Sequence, residues 1–229
     1  MYSGEAAEAY SQLGIEGTTY EIAYWAVEEF VRAHCGGHWL DFGCGTGRST
    51  RFLRLSGANR VTGVDISHAM IAQAKREPLD GVSYAHIADE GALGPARFDA
   101  VACISVLMEI ATFDGLVETL SRIRTALAPH APGIFTVASE FAYDAVYKTY
   151  RRVPNAQPLG AGDTATCFIK TAGGLIEVTD TFWPKAHYED AFEEAGWTSL
   201  TSFDPKPHDA AGFVDEREKP PFTVFTAKA

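Results

Sequence analysis

The apolar residues of this chain change period along its length. Over 4–13 and 19–34 the pattern is helical: Tyr20, Ala23, Tyr24, Val27, Phe30 and Val31 return every three or four residues, the spacing of one helix face. From His38 onward, short apolar runs alternate with amphipathic ones. Strands are expected at 38–42, 60–65, 82–87, 98–104 and 133–138, and helices at 48–56, 67–76 and 114–128. Ser67 stands where an N-cap is needed, and Pro129, Pro132 and Gly133 punctuate the last helix-to-strand turn. This alternation predicts an α/β fold, a parallel sheet with helices on both faces.

After Ser139 the rhythm changes. Residues 140–152 carry Tyr143, Tyr147 and Tyr150 at helical spacing and are expected to form a helix. Thr166–Thr171 and Leu175–Trp183, joined around Gly173-Gly174, predict a β-hairpin. A helix over His187–Ala195 closes at Gly196, and strands follow at Trp197–Phe203 and Phe222–Thr226. The intervening loop 204–220 is rich in Pro and charge, and loops of this length are usually functional or mobile. The expected organisation is an N-terminal helical segment (1–37), an alternating core (38–139), an insertion with the hairpin (140–186) and a C-terminal segment completing the core sheet (187–229).

The sharpest local pattern is Leu40-Asp41-Phe42-Gly43-Cys44-Gly45-Thr46-Gly47. Glycines at alternate positions let a backbone turn sharply and approach a ligand without a Cβ in the way. The next strand, Val61-Thr62-Gly63-Val64-Asp65, also ends in an acid, well placed for a pair of ribose hydroxyls. The run departs from the dinucleotide pattern G-x-G-x-x-G: Arg48 and Ser49 follow Gly47 with no further glycine. Asp41, ahead of the glycines, would crowd a pyrophosphate but welcome an amino group. An aminoacyl-type nucleoside therefore fits better than a nicotinamide dinucleotide.

Composition acts by exclusion. A net charge of -11 over 229 residues, with no Lys/Arg cluster, argues against a nucleic-acid partner. No run is long enough to span a membrane, and the N-terminus is neither basic nor apolar enough for a signal peptide. Cys35, Cys44, Cys103 and Cys167 are scattered without zinc spacing. The expectation is a cytoplasmic protein with reduced thiols, without a metal, as a monomer or homodimer.

Taken in order, these segments resemble the class I S-adenosylmethionine-dependent methyltransferases. The run 40–47 resembles that family's first motif, and Val64-Asp65-Ile66-Ser67 its ribose-binding acid with the segment after it. Ala88-Asp89 is similar to its adenine-contacting position, 98–107 to its fourth motif, and Leu127-Ala128-Pro129 with Pro132-Gly133-Ile134-Phe135 to the turn into its fifth strand. The likeness covers 38–139 and leans to the small-molecule branch that includes ubiquinone-type methyltransferases. It implies a Rossmann-like sheet of parallel strands with a reversed final strand, an N-terminal helical lid, an inserted α+β cap, and S-adenosyl-L-methionine as cofactor.

By position, the resemblance assigns Gly43, Gly45 and Gly47 to the methionine part of the cofactor. Asp41 would meet its amino group, directly or through water, and the Ile104 carbonyl would lie near that group. Asp65 would bind the ribose, Ile66 would pack on adenine, and Asp89 would accept from the adenine amino group. Tyr10, with Tyr2, lies on the helix that covers the cofactor in many relatives, where its hydroxyl would reach the carboxylate. Asp41 and Asp89 read equally as turn-forming residues, and Tyr10 as a lid residue packed on the core.

The acceptor is expected to be a small apolar or aromatic metabolite methylated at O or N by in-line displacement, with alignment and exclusion of water dominant. Related sequences often carry His after the fourth strand; this chain has Met108 and Glu109 there. Candidate bases are Glu109, His187 and His208, the last beside Asp209. The plain alternatives are a solvent-facing or capping glutamate and inert histidines. The aromatic insertion is expected to cap the acceptor. A non-methylating, cyclase-type enzyme on the same fold is the alternative function. Ala102-Cys103-Ile104-Ser105 lacks the Asn/Asp-Pro-Pro-aromatic sequence of amino-methylating nucleic-acid enzymes.

Overall fold

The computed structural model describes residues 4–153, 157–208 and 212–229; Tyr2 and Asp209 lie outside them. The alternating half of the chain folds as its pattern dictates. Strands β1 (His38–Phe42), β2 (Arg60–Asp65), β3 (Val82–His86), β4 (Ala100–Ile104) and β5 (Pro132–Ala138) pair in parallel in the order β3-β2-β1-β4-β5. β1, β2 and β4 are almost continuously buried, because helices cover both faces of a parallel sheet. Along β1 the side chains alternate. Trp39 enters the layer with Val27, Val31 and Leu53, and Leu40 the opposite layer with Leu116, Leu120 and Ile123.

Helices α1 (Gly4–Ser11) and α2 (Glu21–Ala33) precede the sheet, while α3 (Arg48–Ser56), α4 (His68–Ala74) and α5 (Phe113–Ala126) connect its strands. Ser67 caps α4, its hydroxyl accepting from the Met70 N–H at 3.3 Å. Thr112 caps α5 in the same way. Further along the chain lie α6 (Lys185–Glu194), β9 (Thr198–Phe203) and β10 (Phe222–Lys228). β10 inserts antiparallel between β5 and β9, which makes it the reversed strand of a seven-stranded sheet. β9 consequently runs parallel to β1–β5, but at the outer edge.

Residues 140–152 are not the expected helix. A 3₁₀ turn at Glu140–Tyr143 is followed by β6 (Tyr150–Arg152), which pairs with β7 (Thr164–Thr171); β7 forms the hairpin with β8 (Gly174–Thr181). The tyrosine spacing fits a helix, yet β7 would then present an unpaired edge. β6 satisfies that edge, with Tyr150 opposite Ile169, and alternates Tyr150 and Arg152 inward with Arg151 outward.

The small sheet is tied to its surroundings. The Trp183 indole N–H donates to the Ile110 carbonyl at 2.9 Å. Thr19 and Thr149 exchange N–H···Oγ1 bonds of 2.9 and 3.0 Å. Glu216, buried within loop 204–220, accepts from the Thr19 hydroxyl and the Lys148 N–H. Glu216 thus clamps the N-terminal segment to the insertion. No helix among the described residues is long and apolar enough to cross a membrane, and all four cysteines are free thiols.

Candidate functional site

A cavity of about 500 Å³ opens where the carboxyl ends of β1, β2 and β4 meet the N-terminal segment and the small sheet. This volume falls within the roughly 300–1,000 Å³ of small-molecule sites. The position follows from topology, since strand order reverses between β1 and β4 and a crevice forms at such a switch point.

The glycine turn forms one wall. Gly43, Gly45 and Gly47 have φ of 74°, 51° and 82°, a region only glycine enters freely. The Gly43 and Cys44 N–H groups both donate to the Val64 carbonyl, binding the turn to the end of β2. A Cβ on Gly43 would collide with Val106, whereas nothing stands within 4 Å of one on Gly45. Gly45 therefore presents bare backbone to the cavity. Gly47 does not line it; its left-handed φ starts α3 beneath the Tyr84 hydroxyl.

Asp65 lies in the same wall, its Oδ2 accepting from the Gly45 N–H at 2.9 Å and its Oδ1 from the Ser67 N–H at 2.8 Å. Burial pushes its carboxyl above the usual range, and those backbone N–H groups pull it back. Next to it, Ile66 is 62% exposed within the cavity wall. His86 fixes this stretch by donating from Nε2 to the Ile66 carbonyl while its ring stacks on His68 at 3.8 Å. An exposed apolar side chain beside a carboxylate suits a base attached to a ribose.

Asp41 sits behind the turn, 1% exposed and outside the cavity wall. Its Oδ2 accepts from the Ser49 and Thr50 hydroxyls at 2.7 and 2.6 Å. Its buried Oδ1 has no donor among the described residues. Burial raises its pKa from 3.8 to about 6, with the two hydroxyls opposing. The folded protein thus holds this proton more tightly than the unfolded chain, so the stabilisation is complete below pH 3.8 and is lost as pH rises through about 6. The effect amounts to ~3 kcal/mol at most. Thermal unfolding of Asp41→Asn without cofactor should consequently lose less stability between pH 5 and 7.5 than the wild type; equal slopes would refute this.

Across from the turn, Tyr10, Leu13, Tyr20 and Tyr24 line the cavity with Arg48. Arg48 donates to the Leu13 carbonyl at 2.9 Å, and its guanidinium lies 5.5 and 5.6 Å from the Tyr20 and Tyr24 ring centroids. After β4 come Ile104, then Ser105 with a left-handed φ of 58°, a strained value for a side-chain-bearing residue. Met108 and Glu109 follow in the wall, and the far end is closed by Tyr150, Ile169, Val178 and Asp180 of the small sheet.

The structure thus brings together Tyr10, Gly43, Gly45, Asp65, Ile66, Ile104 and Glu109, with Asp41 directly behind them. Four expected residues fall elsewhere, Gly47 beneath the Tyr84 hydroxyl among them. Asp89 accepts from the His86 N–H at 2.9 Å and closes the turn after β3. His187 packs between Trp183 and Phe113 with a buried Nδ1. His208 lies against Trp25, ring centroids 4.7 Å apart, because the loop that carries it leaves the sheet at its outer edge. Neither histidine lines the cavity. Sequence reading missed Arg48 as a wall residue, and it missed Asp180. The alternation Ile176, Val178, Asp180 along β8 puts an acid on an otherwise apolar inner face, and that was the available signal.

Known proteins share this sequence pattern and fold. A family model described as a methyltransferase domain matches residues 40–130. N-demethylindolmycin N-methyltransferase of Streptomyces griseus is 32% identical over 184 residues, covering 74% of this chain and 76% of that protein. Trans-aconitate 2-methyltransferase of Paracidovorax citrulli is 37% identical over 160 residues, 68% of this chain and 59% of that protein. Among solved structures, an S-adenosylmethionine-dependent methyltransferase of Mesorhizobium loti superposes with a TM-score of 0.65 at 20% identity, over 94% of this chain and all of that one. The S-adenosylmethionine-bound amino pentose methyltransferase CalS10 of Micromonospora echinaspora gives 0.61 at 20% identity, over 100% and 98%.

Proposed function

The chain belongs to the class I S-adenosylmethionine-dependent methyltransferases, and from that premise we propose that it methylates a nitrogen or oxygen of a small, apolar or aromatic molecule. One observation supports this above others: a single cavity joins the glycine turn and Asp65 at one wall to the apolar and aromatic face of the small sheet at another. Bound S-adenosylmethionine supplies a methyl group made electrophilic by its sulfonium.

The residues present fit that cofactor: Gly45 offers open backbone, Ile66 an uncovered apolar side chain, and Asp41 a buried carboxylate oxygen still lacking a donor. In this reading Asp65 accepts from the ribose hydroxyls, and Ile66 packs on adenine. Asp41 compensates the amino group through the turn. Tyr10 and Arg48 receive the carboxylate. Asp89 acts indirectly, by shaping the turn beside the adenine. The small sheet excludes water and aligns the acceptor, which for a displacement of this kind supplies much of the barrier reduction. Glu109 is the wall carboxylate nearest in sequence to β4 and is proposed to take a proton where the acceptor brings one. We place the protein in the cytoplasm, in keeping with its free thiols, as a monomer or homodimer.

Calorimetric titration with S-adenosylhomocysteine is expected to show tight one-to-one binding; a folded sample that binds none overturns the reading. Mass analysis of acceptor products is expected to show one added methyl. Turnover without that gain would favour a cyclase-type reaction instead.

A further inference from the structure

At the far end of the cavity the hydrogen bonds converge on one oxygen of one carboxylate. Tyr150 Oη, Arg152 Nη2 and Cys167 Sγ all donate to Asp180 Oδ2, at 3.3, 3.1 and 3.5 Å. No described residue donates to Oδ1, although Asp180 is 3% exposed and forms part of the cavity wall. Arg152 does not supply the missing bond. Its guanidinium lies over Tyr143, Cζ 3.2 Å from the ring centroid, and its Nε and Nη1 have no hydrogen-bond partner among the described residues. Oδ1 is the oxygen of a cavity-wall carboxylate left open to accept from a ligand, and the surroundings are apolar or aromatic: Ile169, Val178, Tyr20 and Tyr150. Such a pocket matches a ligand that brings a hydrogen-bond donor on an apolar body.

Charge narrows the choice. Among the charged wall residues four are carboxylates (Asp65, Glu109, Glu118, Asp180) and two are arginines. Arg48 is assigned to the cofactor carboxylate, and Arg122 donates to the Ile87 carbonyl. At this end an anionic acceptor would meet the open Asp180 oxygen, whereas an amine would donate to it, with Arg152 held on Oδ2 at 3.1 Å.

Resting on the methyl-transfer reading, we propose that Asp180 Oδ1 is the specificity-determining anchor of the acceptor subsite, and that it selects an amine carried on an apolar or aromatic body. The test uses a matched pair of probes, 2-phenylethylamine and 3-phenylpropionate, titrated into the full chain saturated with S-adenosylhomocysteine. The amine is expected to bind at least about tenfold more tightly than the acid, the effect of one hydrogen bond to a charged partner. Asp180→Asn retains an acceptor for Arg152 and is expected to abolish the preference while leaving S-adenosylhomocysteine affinity unchanged. Asp180→Glu, which keeps the charge, is expected to keep the preference. The wild-type comparison decides even if a variant fails to fold. Equal binding of both probes, tighter binding of the acid, or no amine binding up to its solubility overturns the assignment and leaves the methyl-transfer reading standing. Failure of the wild type to bind S-adenosylhomocysteine overturns that reading instead.

Discussion

Replacing Arg152 by methionine is expected to destabilise the protein by about 3–5 kcal/mol, the cost of stripping one partner from a buried ion pair. The side chains of Arg152 and Asp180 are 2% and 4% exposed, and their 3.1 Å contact is the ion pair of the small sheet. Burial already raises the Asp180 carboxyl, with Arg152 the main opposing influence. Without Arg152, the Tyr150 hydroxyl and the Cys167 thiol remain, neither of them a charge. The melting temperature should fall on the order of 10 °C. The double variant Arg152→Met/Asp180→Leu is expected to recover most of that loss, because two apolar side chains replace two desolvated ions. Calorimetric unfolding of the single and double variants measures both. A single variant as stable as the wild type would mean that the pair is not the electrostatic centre of this sheet.

Asp65→Ala is expected to weaken S-adenosylhomocysteine binding about a hundredfold, the loss of two hydroxyl bonds to a carboxylate. The fold should suffer little. The variant does leave the Gly45 and Ser67 N–H groups without their acceptor. It also removes a carboxylate whose charged form burial disfavours, and the two changes oppose each other. Titration of wild type and variant, with melting curves on the same samples, separates affinity from stability. Unchanged affinity would place the ribose elsewhere in the cavity.

The contrast between the two halves of the chain shows what local pattern can carry. β1, α3 and β2 occupy the residues expected of them, because each is read from its own apolar period and bounded by glycine or a charged residue. The cavity wall at the glycine turn was legible for the same reason: glycines, strand ends and Asp65 are close in sequence, and positive φ at Gly43 and Gly45 needs that residue type. Within the insertion the hairpin of β7 and β8 was legible, whereas residues 140–152 were not. Tyr143, Tyr147 and Tyr150 satisfy a helical spacing, and the edge of β7 that draws Tyr150 into a strand is made by residues beyond the connection. His208 follows β9, whose direction alone would put it at the cavity end of the sheet. β9 does run parallel, but direction says nothing about distance from the crevice, and β10 and β5 stand between it and β4. Asp180 emerges only when its alternation with Ile176 and Val178 along β8 is followed, which puts all three on the buried face.

The reversed strand sets a timetable for synthesis. Ser139, just past β5, meets its partner Pro220 across 81 residues of chain. At translation rates of roughly 5–20 residues per second, that separation corresponds to about 4–16 s. For that interval the Phe135 edge of the sheet has emerged without the strand that covers it, and such an open apolar edge is where nascent chains associate wrongly. The glycine turn and Asp65 are made earlier than either. A ligand that recognises them early would hold the incomplete sheet together by mass action, giving the cofactor pool a part in how much of this enzyme matures.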